Sequence, residues 1–245
     1  MAVVSTVRLS ELARHKRLDA DRYHTDFLRL ESRLTGIPIA RKLSSLIAEP
    51  VKTGHTPAVR DMREDDEQVY FVKTDTLREG LIDFKNSDFL PAQVLSGRDY
   101  LRHGDVIVTI IGAHYDIIGR AAVFLKHYPK STVNQNIAVI RPDESLLCPF
   151  YLGVFLNCKY GREQLWMLSR QTEQVNLNCR EVEELLVPLF SSDFQNGIET
   201  LARDSSESME RAKSLYREAE DLLLEERGLK DFKPKYELSY TASLS

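Results

Sequence analysis

The C-terminal part of the sequence repeats small and apolar residues every seven positions, and this pattern constrains the fold more than any other feature. One row consists of Ile198, Ser205, Ala212 and Ala219, and a second row between them consists of Leu201, Ser208, Leu215 and Leu222. A heptad pattern of this kind predicts a long helix with one seam that packs against another helix. We predict the helix over residues 194–227, which gives a length of ~50 Å at the usual rise per residue.

The end of this helix has its own signal. Gly228 is typical of a C-cap, Leu229 is its apolar contact, and Pro234 prevents the helix from resuming. Small residues at half of the seam positions let two backbones approach closely, which favours a helix pair. The alternative, that the helix packs only on its own domain, stays open. The candidate seam for a dimer or a partner helix is Ile198, Leu201, Ala212, Leu215, Ala219 and Leu222.

Composition places the remainder among globular proteins. The chain has 245 residues, a formal net charge of −4 and 3 cysteines, without a C-x-x-C spacing. The charge argues against indiscriminate binding to nucleic acid but leaves room for a local basic patch, and the cysteines support neither a disulfide framework nor a zinc site. Because no apolar stretch is long enough for a membrane span and no secretory signal is recognisable, we expect a cytoplasmic location.

Before the long helix, the pattern predicts an α+β domain over residues 1–191, with the helix itself over 192–229 and a tail over 230–245. We predict a helix near 20–35, strands at 69–73, 81–84 and 131–142, and a turn at Glu79-Gly80. Two short helices follow Pro149, which suits the first helical position. Asn178 and Glu181 have the spacing of a capping box, which predicts a short helix that ends before Pro188.

The stretch GDVIVTIIGAHYDIIGRAAVF, residues 104–124, raises the question of a phosphate-binding loop. Its glycines fit neither G-x-x-x-x-G-K-[ST] nor G-x-G-x-x-G. We predict a β-hairpin instead, with a strand near 106–110, a turn region between Gly112 and Gly119, and a returning strand over 122–125.

Signatures of catalysis are absent from the sequence. It contains no H-E-x-x-H, no G-x-S-x-G elbow, no kinase or P-loop motif, and no methyltransferase cofactor or catalytic loop. Pairs such as Asp83 with Lys85, or Asp231 with Lys233, could be interpreted as part of a nuclease metal site. A chain this charged is expected to contain such pairs by chance. Cys148 and Cys179 have no histidine nearby in the sequence that would activate them. We therefore expect a protein that is not itself an enzyme.

Seven motifs in this order resemble the specificity subunit of type I restriction-modification systems, from about Leu18 to Leu229: KTGHTP, YFVKTDTLREGLID, LRHGDVIVTIIGAHYDIIGRAAVF, VNQNIAVIRP, YLGVFLNCKYGREQL, RQTEQVNLNCREVEELLVPLF and FQNGIETL. The family's unit is a target recognition domain with a mixed, twisted sheet and short helices, followed by a long coiled-coil helix. Its usual subunit contains two units, whereas this sequence contains one. Of the Pro-Pro-x-x-Glu-Gln stretch that the family tends to have before the helix, Pro188 and Gln195 are present.

The resemblance implies that the chain binds no cofactor, catalyses nothing, reads DNA bases and holds methyltransferase (M) subunits, to which nuclease (R) subunits are added. With one unit, two chains are expected to pair antiparallel through the seam as a homodimer. They would read two inverted half-sites, one to one and a half DNA turns apart. The alternative function is a protein-interaction scaffold that uses the heptad helix and never touches DNA.

Direct readout of bases needs Arg, Lys, Asn or Gln side chains, while other polar groups contact phosphate. Three polar loops next to structured segments carry such residues. Gly112 and Gly119 are expected to serve chain geometry, and Asn134 and Asn136 to fix a strand end. The candidate DNA-binding residues are Lys52, Thr53, His55 and Thr56 in the first loop, His114, Tyr115 and Arg120 in the hairpin, and Arg170, Gln171, Gln174 and Asn176 in the third.

Overall fold

A computed structural model describes residues 4–15, 18–58, 66–78, 80–170 and 175–228. The chain divides into two compact units, Met1–Ala202 and Arg203–Ser245. No helix in these described ranges is both long enough and apolar enough to cross a membrane.

The structure is a mixture of helices and strands, which confirms the predicted α+β class. The helices of the described residues are α1 (Leu9–His15), α2 (Thr25–Thr35), α3 (Pro149–Asn157), α4 (Lys159–Leu168), α5 (Cys179–Glu183) and α6 (Ser192–Glu226). The strands are β1 (Ala40–Lys42), β2 (Ile47–Thr53), β3 (Gln68–Val72), β4 (Asp88–Pro91), β5 (Val106–Thr109), β6 (Ile111–Gly112), β7 (Ala121–Val123), β8 (Ser131–Val133), β9 (Ile137–Pro142), β10 (Val175–Asn176) and β11 (Leu186–Pro188).

The centre of the first unit is a four-stranded sheet in the order β2-β9-β5-β7, in which all neighbours are antiparallel. All four residues of β5 are buried, because its β-branched run suits a strand covered on both faces. One face packs against α3, where Leu152 is fully buried. A three-stranded sheet, β4-β3-β8, lies beside it, and two short pairs, β1-β11 and β6-β10, complete the unit.

Local sequence signals that predict helix ends are confirmed. Pro149 occupies the start of α3, where its missing N–H would have no partner in any case. Both hydrogen bonds of the capping box are formed at α5: the Glu181 N–H donates to Asn178 Oδ1 at 3.0 Å, and the Asn178 N–H donates to Glu181 Oε2 at 2.8 Å. The hairpin predicted from the glycine-bracketed stretch is also present, as β5 paired with β7.

Two strand predictions are wrong. Residues 131–142 form β8 and β9 in different sheets, because the chain turns at 134–136, where the Asn136 N–H donates to Asn134 Oδ1 at 3.2 Å. Residues 81–84 form no strand: Ile82 makes one isolated bridge with Leu77, and a 3₁₀ turn follows. The predicted helix at 20–35 is a 3₁₀ turn, Ala20–Tyr23, followed by α2, and the pattern does not predict α1.

The start of α6 is fixed to the first unit through Gln195, which is 4% exposed. Its side-chain amide donates to the carbonyls of Leu146 and Phe190 at 3.3 and 3.0 Å. Its carbonyl oxygen accepts the Cys148 N–H at 2.8 Å. This glutamine is one of the two residues present from the Pro-Pro-x-x-Glu-Gln stretch. Its three hydrogen bonds explain why a glutamine is needed at this position.

The second unit is described from Arg203 to Gly228 and consists of the rest of α6. The helix ends close to the predicted position, and Gly228 has the positive φ of a C-cap glycine, 62°. Leu215 and Leu222 of the seam are 57% and 62% exposed. Ile198 of the predicted seam lies in the first unit and packs against its core, so the exposed part of the seam begins at Leu201, which is 67% exposed.

Candidate nucleic-acid interface

One end of the four-stranded sheet gathers the polar loops that the sequence singles out. Thr53, the last residue of β2, is opposite Ala138, and Thr109, the last residue of β5, is opposite Ile137 at the start of β9. The segments after β2 and β5 and the turn before β9 therefore emerge at the same end, which we call the loop end of the sheet.

The first predicted loop, residues 54–58, lies against the turn at 134–136. The Gly54 N–H donates to the Ile137 carbonyl at 3.1 Å. A Cβ on Gly54 would come within 1.9 Å of the Val133 carbonyl oxygen, so only glycine allows this close approach. The Thr56 hydroxyl hydrogen-bonds the Gln135 side chain, His55 is exposed, and the Lys52 ammonium donates to the Arg98 carbonyl at 2.5 Å.

The second predicted loop, residues 113–120, connects β6 with β7. The His114 carbonyl accepts the N–H groups of Ile117 and Ile118, while the His114 side chain is exposed. Gly119, with a φ of 79°, donates its N–H to the Thr109 carbonyl at 2.9 Å. The Arg120 Nε donates to the Asp116 carbonyl at 2.7 Å. As expected, Gly119 serves chain geometry.

Tyr115 of this loop is turned onto α4. Its hydroxyl donates to Glu163 Oε1 at 3.3 Å, and its ring meets Trp166 edge-on at a centroid distance of 5.3 Å. Burial against these residues, together with the Glu163 carboxylate, raises the pKa of Tyr115. The phenol is therefore neutral at physiological pH and acts as a hydrogen-bond donor.

The third predicted loop is described only at its two ends, which pair with each other. Arg170 and Asn176 form a backbone bridge, in which the Arg170 N–H donates to the Asn176 carbonyl at 2.9 Å, and both side chains are exposed. Asn176 also pairs with Ile111 through β10 and β6, which brings this loop beside the second one. Gln171 and Gln174 lie outside the described residues.

The backbone of Ile110 hydrogen-bonds both the turn at 134–136 and Leu177, which follows the third loop. Its N–H donates to the Asn136 carbonyl at 2.9 Å, and its carbonyl accepts the Leu177 N–H at 2.9 Å. The turn at 134–136, the second loop and the third loop are thus neighbours, and the first loop lies on the far side of the turn. All of the described candidate DNA-binding residues belong to segments at this one end of the sheet.

A fourth segment at the loop end was not among the predicted site residues. The chain folds back between Leu77 and Ile82, and the Gly80 N–H donates to the Ala121 carbonyl at 2.8 Å, one residue after Arg120. Arg78 lies in this tip and is exposed. The sequence signal for this segment is the turn pair Glu79-Gly80. Its position at the loop end follows from the hydrogen bond between Gly80 and the first residue of β7.

The opposite end of the sheet is held by buried charge. Asp105 is fully buried and accepts hydrogen bonds from Arg141 Nε and Nη2 at 2.7 and 2.9 Å. Arg141 Nη1 also donates to Glu49 at 2.5 Å, and this interaction lowers the pKa of Glu49. Because a bidentate arginine fixes the spacing of its partners, β2, β5 and β9 are tied into a stiff support for the loops.

Among the described residues, no three His, Cys, Asp or Glu side chains lie close enough to share a metal ion. Asp83 caps a 3₁₀ turn by accepting the Lys85 N–H at 3.2 Å, whereas Asp231 and Lys233 lie outside the described ranges. Burial raises the pKa of the Cys148 and Cys179 thiols, which disfavours the thiolate that a nucleophile requires.

Comparison with known proteins gives three informative similarities. The chain is 29% identical over 105 residues to the specificity subunit of the type I restriction enzyme EcoBI from Escherichia coli, over 41% of this chain and 20% of that protein. It is similar to a chain from a structure of type I restriction-modification complex assembly, with a TM-score of 0.51, 16% identity, and coverage of 90% of this chain and 54% of that one. No family model matches.

The third similarity is to the type IIG restriction endonuclease BpuSI, with a TM-score of 0.56 and 10% identity over 79% of this chain and 30% of that one. At these identities the solved structures show a shared fold. The predicted resemblance to type I specificity subunits is confirmed, and the chain spans about a fifth of its sequence relative and about half of the type I chain. The expectation of a chain that is not an enzyme agrees with that relative, a specificity subunit.

Proposed function

We propose that this chain is a non-catalytic subunit that reads a specific duplex DNA sequence and docks DNA methyltransferase subunits, to which nuclease subunits can be added. The observation that carries the proposal is the convergence of the polar loops at one end of a stiff sheet. The sequence relative is itself a specificity subunit of a restriction enzyme.

The chemistry of the loop end suits DNA. Arg170 and Asn176 lie side by side on the backbone with exposed side chains, and these are residue types that bind guanine and adenine edges in pairs of hydrogen bonds. In the proposal, Arg120 and His114 of the second loop join them at the bases. Thr53, Thr56, His55 and Lys52 contact the phosphates, which fixes the register of the protein on the duplex.

The remaining chemistry of the proposal follows from this ligand. No cofactor is needed, because binding to base edges and phosphates uses side chains alone. The proposed location is the cytoplasm, where the target DNA of a restriction-modification system lies.

The proposed partner surface is the exposed seam of α6. Leu215 and Leu222 of one heptad row are exposed, and Ala212 and Ala219 of the neighbouring row are small, so a second helix can approach closely. We propose that two copies pair antiparallel through this seam. A twofold pair presents two identical reading surfaces, so its target consists of two inverted half-sites.

The test uses the purified full chain and a library of randomised duplexes, with sequencing of the bound fraction. We expect enrichment of one sequence, and an affinity for it that falls steeply with salt because phosphate contacts release counterions. Arg170→Ala should lower the affinity for the selected duplex by about 5- to 100-fold, whereas the exposed α5 variant Arg180→Ala should leave it unchanged.

The chain contains a single tryptophan, Trp166, which contacts Tyr115 of the second loop. Its emission therefore reports where DNA binds, and we expect it to change on addition of the selected duplex. A chain that enriches no sequence and shows no salt-dependent binding contradicts the proposal.

A protein-interaction scaffold is the competing function, and the exposed apolar seam is the observation that favours it. Capture of the tagged chain from its own source, followed by mass spectrometry, separates the two functions. A DNA methyltransferase at comparable stoichiometry supports the specificity subunit. A different helical partner, together with no DNA binding, supports the scaffold.

A further inference from the structure

The second loop, residues 113–120, is held in place from outside by α4. Arg162 Nη2 donates to the Tyr115 carbonyl at 2.9 Å, and the same guanidinium lies 5.5 Å from the centre of the Tyr115 ring. At the other end of the loop, a Cβ on Gly119 would come within 3.2 Å of Arg162 Cδ. One arginine therefore lies against two positions of the loop, Tyr115 and Gly119.

Arg162 is 7% exposed, so its guanidinium is not available to a phosphate or a base. Burying a charged group is costly unless its hydrogen bonds are satisfied, and here one of them is directed at the backbone of the loop. The neighbouring side chains of α4 add to this hold, since Glu163 accepts the Tyr115 hydroxyl and Trp166 packs on its ring.

We propose that Arg162 is a positioning residue that sets the conformation of the 113–120 loop before DNA arrives, and so determines how sharply the loop discriminates between base pairs. This inference rests on the proposed reading of DNA by that loop. It also assigns Tyr115 a different part from the predicted base contact, because its ring and hydroxyl are engaged by α4. His114 and Arg120 are then the side chains that the loop presents to the duplex.

The physical reason is preorganisation. A base-reading side chain must lie within a fraction of an ångström of its partner atoms, and a loop that orders only on binding loses part of the interaction free energy in doing so. Loosening the loop therefore weakens recognition of the correct sequence. Attraction to any phosphate backbone depends on charge and tolerates a mobile loop.

The first test measures amide hydrogen exchange in the full chain without DNA. In Arg162→Lys the charge remains, but a single ammonium cannot both lie over the Tyr115 ring and reach its carbonyl. We expect the Ile117 and Gly119 amides to exchange about tenfold faster, while the β5 amides stay protected. The exposed Arg180→Lys is the matched control and should change neither.

Tyr115→Ala is the second variant. It removes a ring that is 36% exposed and lies outside the buried core, and it should loosen the same two amides. Unchanged exchange at Ile117 and Gly119 in both variants would overturn the inference. Faster exchange that extends through β5 would also overturn it, since Arg162 would then support the whole fold rather than the loop.

The second test compares binding of the library-selected duplex with binding of a scrambled duplex of equal length. We expect the ratio of the two dissociation constants to fall about tenfold in Arg162→Lys, while the scrambled duplex binds within about twofold of wild type with the same salt dependence. Equal losses on both duplexes would overturn the inference. If the wild-type chain selects no sequence, the proposed function fails, and the exchange experiment still decides whether Arg162 orders the loop.

Discussion

The two units of the chain differ in how deeply their apolar residues are buried. In the first unit Leu152 and the residues of β5 are fully buried, whereas in the second unit Leu215 and Leu222 are 57% and 62% exposed. The first unit thus buries the apolar surface that stabilises it, while the described part of the second exposes the leucines of its seam. One chain therefore combines a unit with a buried apolar core and a helix with an exposed apolar seam.

The largest effect should come from truncating a core leucine. Leu152→Ala deletes buried methyl groups from the face of α3 that packs on the central sheet, and should lower the free energy of unfolding by about 2–5 kcal/mol. Leu215→Ala, the same substitution in the second unit, should change it by less than about 0.5 kcal/mol in dilute protein. Denaturant unfolding measures both values, and equal losses would mean that the two leucines share one type of environment.

The next effect concerns association. Leu215→Glu places a charge in the proposed seam and should weaken self-association or methyltransferase binding by at least about 30-fold, because a central apolar contact is replaced by a carboxylate. Ser214→Glu adds the same charge one position away, outside the seam. Sedimentation and partner capture report the loss, while the melting of the first unit should persist. A Leu215→Glu chain that keeps its partner places the seam elsewhere on the helix.

A smaller effect concerns the pKa of Tyr151, which is buried in the core of the first unit. Burial raises the pKa of Tyr151 to about 12, and its hydroxyl donates to the Pro188 carbonyl at 2.5 Å. Since the folded-state pKa lies above the unfolded value of about 10, the contribution to stability is complete below pH ~10 and is lost as the pH rises through ~12.

Wild type should therefore lose about 1–2 kcal/mol more than Tyr151→Phe between pH 8 and pH 11, as measured by denaturant unfolding. The described residues of the second unit include Tyr216, which is 67% exposed, and Tyr216→Phe is the control. Parallel pH profiles for wild type and Tyr151→Phe would contradict the assignment.

The smallest effect is at the capping box. Asn178→Ala removes the side chain that accepts the Glu181 N–H and should cost about 1 kcal/mol of the free energy of unfolding. Ser192→Ala, at the start of α6, is a matched small substitution whose side chain is exposed, and it should cost less. Thermal unfolding of both variants checks the order of these two losses.

Local chemistry explains which parts of the fold could be predicted. The proline at the start of α3, the Asn178 capping box and the heptads of α6 act within a few residues, and each predicts its element correctly. The division of residues 131–142 could have been inferred from the Asn-Gln-Asn turn. By contrast, the pairing of β1 with β11 joins Ala40 to Pro188, which are far apart in the sequence, and nothing in either short stretch indicates its partner.

The candidate site follows the same division. The three polar loops could be selected from residue type alone, but their convergence depends on the long-range register of β2, β5 and β9. The support from α4 depends on where a helix packs, so Arg162 could not be distinguished in the sequence from a surface arginine. Roles at DNA for individual loop residues stay predictions until binding is measured.

The pairing of β1 with β11 has an evolutionary consequence. Ala40 pairs with Pro188, and the Leu189 N–H donates to the Ile39 carbonyl at 2.9 Å. The chain therefore enters and leaves the part of the first unit that contains the sheets at adjacent positions. A domain whose two chain ends lie close together can be inserted into another protein, or duplicated in tandem, without a change in its internal connections. Recombination between genes could therefore exchange this part of the chain for a related one while the flanking polypeptide stays the same.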